Sequence, residues 1–374
     1  MKILLTNAFL DAYAGTQVVV RDLSLELRRQ GHDPAVYSPR LGAVAEELRG
    51  CGVQVTDHLA ALRDVPDIIH GHHHPEVMAA LLQFQSTPAI YVCHGAGGYL
   101  EEPLYHPRIL RYVAVDNRCR KRLETVPEIP RARVMDTWNA VDLSRFLPRA
   151  PLPLRPKRAL VFSNNAKRSS YVGAVRRACR RARMELDVVG GLWGNAVPNP
   201  ETILPHYDMV FAKARCALES LAVGSAVVLC DAAGVGPMVS TANYDALRPM
   251  NFGAGLLANP SRAEEIEAEI AKYDARDATA VSRRVREEAG LCGAARRWLS
   301  VYAQVIEEFH RSPQDIGDEF RALAAYLKKW NYGVRLAWER EKLRRLEDIP
   351  IAGRHFARLA RSILRKWTGG YGLS

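Results

Sequence analysis

Residues 208–231 read DMVFAKARCALESLAVGSAVVLCD and hold a complete strand–helix–strand pattern. Gly224, the residue type that most often ends a helix, precedes the last apolar run. A strand that leads through a helix into another strand is the unit of parallel α/β sheets. The predicted elements are a strand over 209–211, a turn over 212–215, a helix over 216–223 and a strand over 226–230.

The charged residues of this stretch predict an anion site. Lys213 and Arg215 lie where the helix begins, and a helix N-terminus attracts phosphate through its free N–H groups and partial positive charge. Arg can bind a phosphate through two parallel hydrogen bonds. Glu219 lies one turn later, where its carboxylate could accept hydrogen bonds from a sugar diol. The alternative is that Glu219 is a solvated helix residue and the two bases are surface charges.

Length and composition predict a two-domain protein of the cytoplasm. The 374 residues suffice for two cores, and 48% hydrophobic with 25% charged residues is ordinary for a globular protein. The seven cysteines form no Cys-x-x-Cys pair, so we expect reduced thiols. The start, MKILLTNAFLD, is better explained as a strand than as a signal peptide, and no apolar run approaches the ~20 residues of a membrane span.

The net charge of +11 lies entirely in the second part of the chain. Residues 1–150 hold 17 Lys plus Arg against 17 Asp plus Glu, so the whole excess belongs to residues 151–374. A basic region predicts an acidic partner, and nucleotide phosphates, an anionic membrane surface and nucleic acid all remain open.

The first half of the chain alternates apolar runs with amphipathic helices. This pattern predicts a mostly parallel, doubly wound sheet, in which ligands bind at the carboxyl ends of the strands. The predicted strands are 2–6, 34–37, 53–56, 67–70, 89–93 and 112–115, and the predicted helices are 17–30 and 75–83.

Two candidate groups lie at these strand ends. Gly15 and Thr16 precede the first helix, where backbone could approach a phosphate or a sugar, with a plain tight turn as the alternative. His94 directly follows the strand over 89–93, and imidazole can donate, accept or carry charge near neutral pH. The alternative for His94 is a histidine satisfied by the backbone.

A histidine-rich segment runs from His70 to His74, with four histidines in five residues. It is predicted to be a strand-end loop that lines a cleft. A metal site is the less favoured alternative, because no Cys or acidic ligand stands at a supporting spacing.

The segment Asn139–Pro148, NAVDLSRFLP, precedes a proline-rich stretch that can run neither as a helix nor as a central strand. Side chains of Asn139 and Asp142 are suited to cap a turn at this hinge. The sequence therefore predicts a first domain over 1–148, a linker over 149–157, a second domain over 158–300 and a helical extension over 301–374.

The second domain is predicted to start with a strand over 158–163. Lys167 in the following loop is placed to reach a phosphate. The next helix carries five arginines, but it has no interleaved aromatic residues and is predicted to be a solvated face rather than a nucleic-acid reader. A strand over 187–189 and a helix over 263–270 complete the prediction for this domain.

The end of the chain departs from a plain two-domain plan. Residues 318–348 are predicted to be helical and heavily charged. Residues 354–367 place apolar and basic side chains on opposite helix faces, and 351–374 hold no acidic residue. That pattern is typical of an interfacial membrane helix, and packing of the apolar stripe on the first domain is the equal alternative.

Taken together, roughly residues 1–300 resemble the GT-B glycosyltransferases, particularly glycosyltransferase family 4. The family's Glu-Ala-x-Ala-x-Gly-x-Pro-Val-Val run resembles 219–228, from which Ser220 and Ala226 depart. Asn139–Pro148 is similar to its Asn-Gly-Val-Asp-x-x-x-Phe-x-Pro signature, with Ala140 in place of Gly. The segments 15–32 and 67–72 resemble its glycine-loop start and its Asp-Ile-Ile-His-x-His run. The resemblance implies an α/β fold of two Rossmann-like domains facing a cleft, with a helical C-terminal extension.

The resemblance also implies roles for individual residues. It predicts Glu219 on the donor ribose, Lys167, Lys213 and Arg215 on the diphosphate, His94 at the transferred sugar, and Gly15 with Thr16 closing over it. His94 and Glu219 are the predicted catalytic residues. The family has an earlier Glu as well, which is usually associated with retention of configuration. Phe211 stands at that position here, so the residue on which the implied retention depends is missing.

The implied activity is transfer of a sugar from a UDP- or GDP-linked donor to a glycan or lipid-linked acceptor, with retention and without a cofactor. No Asp-x-Asp motif occurs, which agrees with metal independence. The expected location is the cytoplasm, with contact to the inner face of the membrane through 354–367 as an option. The alternatives are a catalytically weakened GT-B protein that binds sugar nucleotides or acts as a scaffold and, less favoured, a nucleic-acid binder.

Overall fold

A computed structural model of the protein describes residues 1–312 and 315–330. Two sheets, one parallel and one mostly parallel, dominate these residues, and each is covered by helices. Each sheet has its own apolar core, as the alternation of apolar strands and amphipathic helices requires. Within the described part, no helix is long and apolar enough to cross a membrane.

The first sheet has seven parallel strands in the order β3-β2-β1-β4-β5-β6-β7. The order changes direction between β1 and β4, which is where doubly wound sheets form their ligand crevices. The strands are β1 Lys2–Thr6, β2 Asp33–Tyr37, β3 Gln54–Thr56, β4 Ile68–His72, β5 Ala89–Cys93, β6 Ile109–Ala114 and β7 Val134–Asp136, and the helices between them are α1 Gly15–Arg29, α2 Ala43–Gly50, α3 His74–Gln83 and α4 Asn117–Glu124.

The second sheet has five strands in the order β12-β11-β10-β8-β9, of which only the edge strand β12 is antiparallel. The strands are β8 Arg158–Phe162, β9 Glu185–Val189, β10 Met209–Ala212, β11 Ala226–Asp231 and β12 Gly234–Met238. The helices are α5 Val172–Arg181, α6 Ala214–Val223, α7 Tyr244–Leu247, α8 Ala263–Ile270 and α9 Ala275–Glu288.

A long helix, α10 Leu291–Arg311, returns from the second sheet to the first. Its residues Ala295, Tyr302, Val305 and Phe309 belong to the core of the first sheet. The position predicted as the start of the extension, residue 301, falls inside this helix. A further helix over 316–330 also packs there, since Leu323 and Tyr326 contact the same core.

Strongly periodic elements match the sequence prediction, and short or highly charged ones were missed. The strands β1 and β5 and the helix α8 have the predicted bounds. The missed α4 buries only Cys119 and Leu123, and the missed β7 has three residues. The predicted interfacial segment 354–367 and most of the helix predicted over 318–348 lie outside the described residues.

Two predictions about loops were wrong. The turn predicted over 212–215 is instead the end of β10 and the start of α6, so Arg215 lies in the first helical turn. The histidine loop predicted over 70–74 is instead the end of β4 and the start of α3. The helix stop at Gly224 is confirmed, because this residue adopts φ 104° at the end of α6.

Asn251 joins the two domains through its side chain. It is 4% exposed and has a left-handed backbone with φ 48°. Its Oδ1 accepts the N–H of Asn139 at 2.9 Å and Nη1 of Arg248 at 3.1 Å, and its Nδ2 donates to the carbonyl of Val115. A single amide therefore links the hinge, the second domain and the end of β6.

Asn251→Ala is expected to lower the free energy of unfolding by about 2–5 kcal/mol. Without Oδ1 of Asn251, buried N–H donors lose their acceptor, which costs ~1–3 kcal/mol of stability. Ala also adopts the left-handed backbone conformation less readily than Asn, which costs a further ~1–2 kcal/mol. Thermal unfolding followed by circular dichroism measures the change. The matched Asn251→Gly loses the same bonds but keeps the backbone conformation, so it should be less damaging; equal melting temperatures for Ala, Gly and wild type would contradict this account.

Candidate active site

The carboxyl ends of the two sheets face a common cleft. Thr6, His72 and His94 come from strand ends of the first sheet, and Lys213 follows β10 of the second. The loops after β8 and before α1 approach each other, since Nδ2 of Asn164 donates to the carbonyl of Tyr13 at 3.4 Å. Strand ends are where α/β sheets bind ligands, so the cleft is the candidate site.

The N-terminus of α6 lies on the second-domain side of this cleft. Lys213 is its N-cap residue and has no side-chain capping bond. Ala214 has φ 50°, and its N–H donates to the carbonyl of Phe252 at 2.7 Å. This strained start turns Arg215, the next residue, toward the first domain.

Arg215 and Glu219 form an ion pair at one helical turn's spacing. Nε of Arg215 lies 2.8 Å from Oε1 of Glu219, and Nη2 of Arg215 also contacts Oδ2 of Asp22 on α1. Asp22 and Glu219 are buried, and the Arg215 side chain is 13% exposed. The guanidinium thus bridges a carboxylate of each domain. The alternative that Glu219 is a solvated helix residue is wrong.

Burial and neighbouring charges act on this pair in opposite directions. Burial raises the pKa of Glu219 above its ordinary value, partly offset by the charge of Arg215. Burial disfavours the charge of Arg215, but the carboxylates of Asp22 and Glu219 more than compensate and raise its pKa. Arg215 therefore stays cationic within the closed cleft.

Further charges extend the pair into a network across the cleft. Asp22 also contacts Arg21 at 2.6 Å and Arg145 at 3.7 Å. Arg145, from the hinge segment, is 2.8 Å from Glu201 of the second domain. Ion pairs among the first domain, the hinge segment and the second domain therefore hold the cleft closed.

Lys213 has a different partner from Arg215. Its Nζ lies 2.7 Å from Oδ2 of Asp231, at the end of β11, and its side chain is 25% exposed. The two bases therefore flank the helix N-terminus without sharing a carboxylate. Lys213 and Arg215 could each exchange the carboxylate partner for an anion, because both lie beside the N–H groups at the start of α6 that have no acceptor within the helix.

Three of the residues predicted to bind the nucleotide-sugar donor lie at the rim of the cleft. Gly15 and Thr16 are the first residues of α1, and Gly15 is exposed. Lys167 is exposed in the loop after β8, where its backbone N–H donates to Oγ of Ser170 at 3.1 Å. Within the described residues, none of these three residues forms a hydrogen bond or an ion pair with Arg215, Glu219 or His94.

A stack of three histidines lies on the first-domain side, in which His70 and His72 belong to β4 and are buried, while His94 follows β5 and is half-buried. Nδ1 of His72 is 2.6 Å from Nε2 of His94, with ring centroids 4.8 Å apart. His70 stacks on His72 at 4.7 Å, and its Nδ1 is 2.5 Å from the hydroxyl of Tyr302 on α10. The alternative of a backbone-satisfied His94 does not hold, because its ring bonds to another side chain.

Burial keeps this stack neutral at ordinary pH. It lowers the pKa of His70 to about 3 and that of His94 to about 4, and it lowers the pKa of His72 well below the usual value. Among residues 1–312 and 315–330, no group of three His, Cys, Asp or Glu residues is arranged to hold a metal ion.

Glu101 braces the loop that carries His94. Its Oε2 accepts the backbone N–H of His94 at 2.9 Å, and its Oε1 lies 3.5 Å from Nε2 of His73. Nδ1 of His73 accepts the N–H of Ala8 at 3.0 Å, which leaves the proton on Nε2, facing Glu101. Burial opposes ionisation of Glu101, but these partners outweigh it and lower its pKa.

The sequence did not identify Asp22, Glu101 or His72 as individual site residues. Asp22 is a charged residue on a helix, which is usually solvated, and its partner Arg215 is 193 residues away. Glu101 lies in an irregular loop with no periodic pattern. A histidine inside an apolar strand run was the one available signal for His72.

A small cavity of about 50 Å³ lies between these groups. His70, His72, His94 and Asp22 line it from the first domain, and Arg215 lines it from the second. Typical small-ligand pockets measure ~300–1,000 Å³. As described, this cavity is closed to a nucleotide-sized molecule, so binding inside it requires the cleft to open.

Comparison with known proteins agrees with this geometry. A profile of Glycosyltransferase Family 4 matches residues 13–145. This match confirms, over that stretch, the resemblance expected from the sequence. No curated protein matches the chain.

Solved structures share the arrangement of both domains. Alr3699/HepE from Anabaena in complex with UDP is 12% identical, with 81% of this chain and 100% of that chain covered and a TM-score of 0.61. A glycosyltransferase from Rickettsia africae ESF-5 is 14% identical, with 82% and 98% covered and a TM-score of 0.58. Sucrose-phosphate synthase from Thermosynechococcus elongatus is 14% identical, with 82% and 99% covered and a TM-score of 0.57.

At 12–14% identity, the similarity to these solved structures establishes the fold of the chain alone. The chain has the GT-B fold, with two Rossmann-like domains facing a cleft and C-terminal helices that return to the first domain. The fold class predicted from the sequence is confirmed.

Acid is expected to destabilise the protein progressively as the pH falls from about 6.5 to about 3. Buried His106, whose pKa burial lowers to about 3, is neutral when folded but protonates near pH 6.5 when unfolded. The unfolded chain then binds more protons, and each such histidine removes ~1.4 kcal/mol per pH unit as the pH falls. Urea unfolding at several pH values measures this slope.

Variants separate the contribution of one histidine. His106→Asn should reduce the loss of stability per pH unit, whereas His310→Asn, at an exposed position, should leave it unchanged. Identical slopes for His106→Asn and wild type would contradict this assignment.

Proposed function

We propose that the protein is a glycosyltransferase that moves a sugar from a nucleotide-sugar donor to a glycan or lipid-linked acceptor. The observation that carries the proposal is the Arg215–Glu219 ion pair at the start of α6, because the Arg215 side of this pair lines the same cavity as His94. A cation beside free helix N–H groups suits a diphosphate, and a buried carboxylate one turn later suits a ribose diol.

In this proposal the donor binds on the second domain. Lys213 and Arg215 exchange their carboxylate partners for the diphosphate, and Glu219 accepts hydrogen bonds from the ribose. Lys167 and the Gly15–Thr16 start of α1 approach the donor from the rim. Because the Anabaena structure is a UDP complex, a UDP-linked donor is the first candidate and a GDP-linked donor the second.

The chemistry we propose needs no metal ion or other cofactor. Charge develops on the leaving diphosphate, and guanidinium, ammonium and helix N–H groups aimed at it supply electrostatic stabilisation. Retention of configuration is what the family resemblance implies. Phe211, fully buried in β10, occupies the position of the family's first Glu, so no carboxylate at that position takes part.

The alternative of a sugar-nucleotide binding protein without turnover has one observation in its favour. Asp22 already occupies Arg215 in the closed form, so the anion site is filled by the protein itself. Such a protein would bind nucleotide without releasing it from a nucleotide sugar. Measuring free nucleoside diphosphate separates the two functions.

The cellular setting is also part of the proposal. All seven cysteines are free thiols, which supports a reducing compartment such as the cytoplasm. Contact with an anionic membrane through 354–367, and a lipid-linked acceptor with it, rests on the sequence pattern of that segment alone.

One nucleotide is expected to raise the melting temperature selectively among UDP, GDP, ADP and their sugar conjugates. Binding to the folded state must stabilise it, and Lys213→Ala should reduce the shift because a diphosphate contact is lost. Lys272→Ala, which removes an exposed lysine paired with Glu269, is the matched control and should keep the full shift. An unchanged response in EDTA supports metal independence; no shift with any nucleotide at millimolar concentration would sink the proposal.

Asp22→Asn is expected to tighten nucleoside diphosphate binding by about tenfold. The variant removes the carboxylate that competes for Arg215, and one charge-assisted bond contributes ~1.5–3 kcal/mol. Titration calorimetry with the nucleotide selected above measures the change. Asp64→Asn, which removes an equal charge paired with Lys2, should bind like wild type. Weaker binding in Asp22→Asn would show that Asp22 is not a competitor.

A further inference from the structure

Two exposed aromatic side chains lie together on the first domain. Tyr99 belongs to the loop after β5 and is 49% exposed, and Trp330 is the last described residue of the helix over 316–330 and is 44% exposed. Burial raises the pKa of Tyr99 and a hydrogen bond from Trp330 opposes that rise, so the indole N–H lies beside the phenolic oxygen. Tyr and Trp are enriched at binding surfaces, because each joins a large apolar ring to a polar tip.

A buried histidine supports this pair. The ring of His74, at the start of α3, lies edge-on to Tyr99 with centroids 4.8 Å apart, and 5.6 Å from the ring of Tyr326. Nδ1 of His74 is also 3.0 Å from the hydroxyl of Tyr326, which belongs to the same helix as Trp330. Edge-to-face packing is a favourable aromatic geometry. His74 therefore joins the loop to the helix and fixes the position of Tyr99.

Paired charges stand next to the two rings. Oε1 of Glu102, in the loop of Tyr99, is 2.5 Å from Nζ of Lys329, the residue before Trp330. Oε2 of Glu102 accepts a hydrogen bond from Nη2 of Arg122 at 2.7 Å. Glu102 and Lys329 both remain partly exposed. A carboxylate has several lone pairs and an ammonium has three hydrogens, so both groups can bind further partners.

The loop of Tyr99 also reaches the cleft. It begins with His94, which lines the cavity between the domains. Glu101 folds back on this start, because its Oε2 accepts the backbone N–H of His94 at 2.9 Å. Tyr99 is two residues from Glu101, a span of at most ~7 Å. The aromatic pair therefore lies at the first-domain edge of the cleft. Next to it the loop is open, since a Cβ on Gly97 or Gly98 would meet no atom within 4 Å.

This combination of groups suits a sugar. The C–H bonds on one face of a pyranose ring pack on an aromatic ring, and its hydroxyls exchange hydrogen bonds with carboxylate and ammonium groups. An anionic membrane surface is a poorer match, because Glu102 lies within the group and already compensates Arg122 and Lys329. An acyl chain is also a poorer match, because it would take water from these charged groups without replacing its hydrogen bonds.

We propose that Tyr99 and Trp330 form a subsite for a sugar residue of the acceptor, with Glu102 and Lys329 as hydrogen-bonding partners of its hydroxyls. The inference rests on the proposed glycosyl transfer and specifies its acceptor. The acceptor is then a glycan, or the glycan part of a lipid-linked molecule, rather than a lipid alone. The helix over 316–330 accordingly contributes to acceptor binding as well as covering the core of the first domain.

The test measures glycan binding by the full chain in the absence of a donor. Maltotriose, cellotriose and mannotriose are the probes, and titration calorimetry gives Kd. At least one trisaccharide should bind, and Tyr99→Ala and Trp330→Ala should each weaken its binding by about tenfold, because the contact with a large ring is lost. Trp330→Phe keeps an aromatic face and should recover most of that loss. With the donor selected by the nucleotide panel, Trp330→Ala should raise the KM of the same trisaccharide by a similar factor.

Phe320→Ala is the matched control. Phe320 is an exposed aromatic residue on the same helix, and it lies ten residues before Trp330. Its loss should leave glycan binding as in the wild type. Vesicles of equimolar phosphatidylglycerol and phosphatidylcholine are the second probe. Sedimentation with these vesicles, reduced alike in Phe320→Ala and Trp330→Ala and without glycan binding, would identify a membrane surface and overturn the sugar subsite.

This inference and the proposed function can fail separately, because glycan binding is measured without a nucleotide. If the wild type binds a trisaccharide but no nucleotide, the proposed function fails and the sugar subsite stands. If it binds a nucleotide but none of the trisaccharides, or if Trp330→Ala binds the trisaccharide like the wild type, the subsite is overturned. Equal weakening in Phe320→Ala and Trp330→Ala would reflect a general effect on the helix and also overturns it.

Discussion

The contact that closes the cleft is the bridge from Asp22 through Arg215 to Glu219. Burying a charge is costly unless it is paired, and here one guanidinium compensates two carboxylates of different domains. In the proposed function the same guanidinium binds an anion at the N-terminus of α6. An anion that binds Arg215 must then compete with Asp22, whose contact with Arg215 is one of the ion pairs that hold the two domains together. The proposed function therefore implies a link between ligand occupancy and the separation of the domains.

That link needs a rigid frame on both sides. On the second domain, the left-handed Ala214 and its bond to Phe252 set the direction of α6. Asn251, next to Phe252, binds the hinge and the first domain. Strain at 214 and 251–252 is thus held by the contacts that join the domains. On the first domain, α10 returns to place Tyr302 against His70, so the histidine stack is supported by a helix that follows the second sheet.

The sequence predicted the elements that depend on local apolar periodicity. It did not predict the site residues whose position depends on contacts between distant parts of the chain. Strand β10, helix α6 and the stop at Gly224 follow from apolar spacing, which also brings Arg215 and Glu219 to one edge. Asp22 could not be found, because a charged residue on a helix is usually solvated and its partner is 193 residues away. The histidines were assigned to a loop since polar residues are rare in fully buried strands. Their burial depends on α10, whose packing no local pattern reveals.

The two sides of the cleft differ in how they carry charge, and that difference has a physical reason. Arg215 remains cationic because Asp22 and Glu219 compensate it, while burial keeps His94 and His72 neutral in the same cavity. Protonated imidazoles there would repel the guanidinium in a medium that screens charge poorly. Neutral rings on one wall and a compensated cation on the other can therefore coexist at close range.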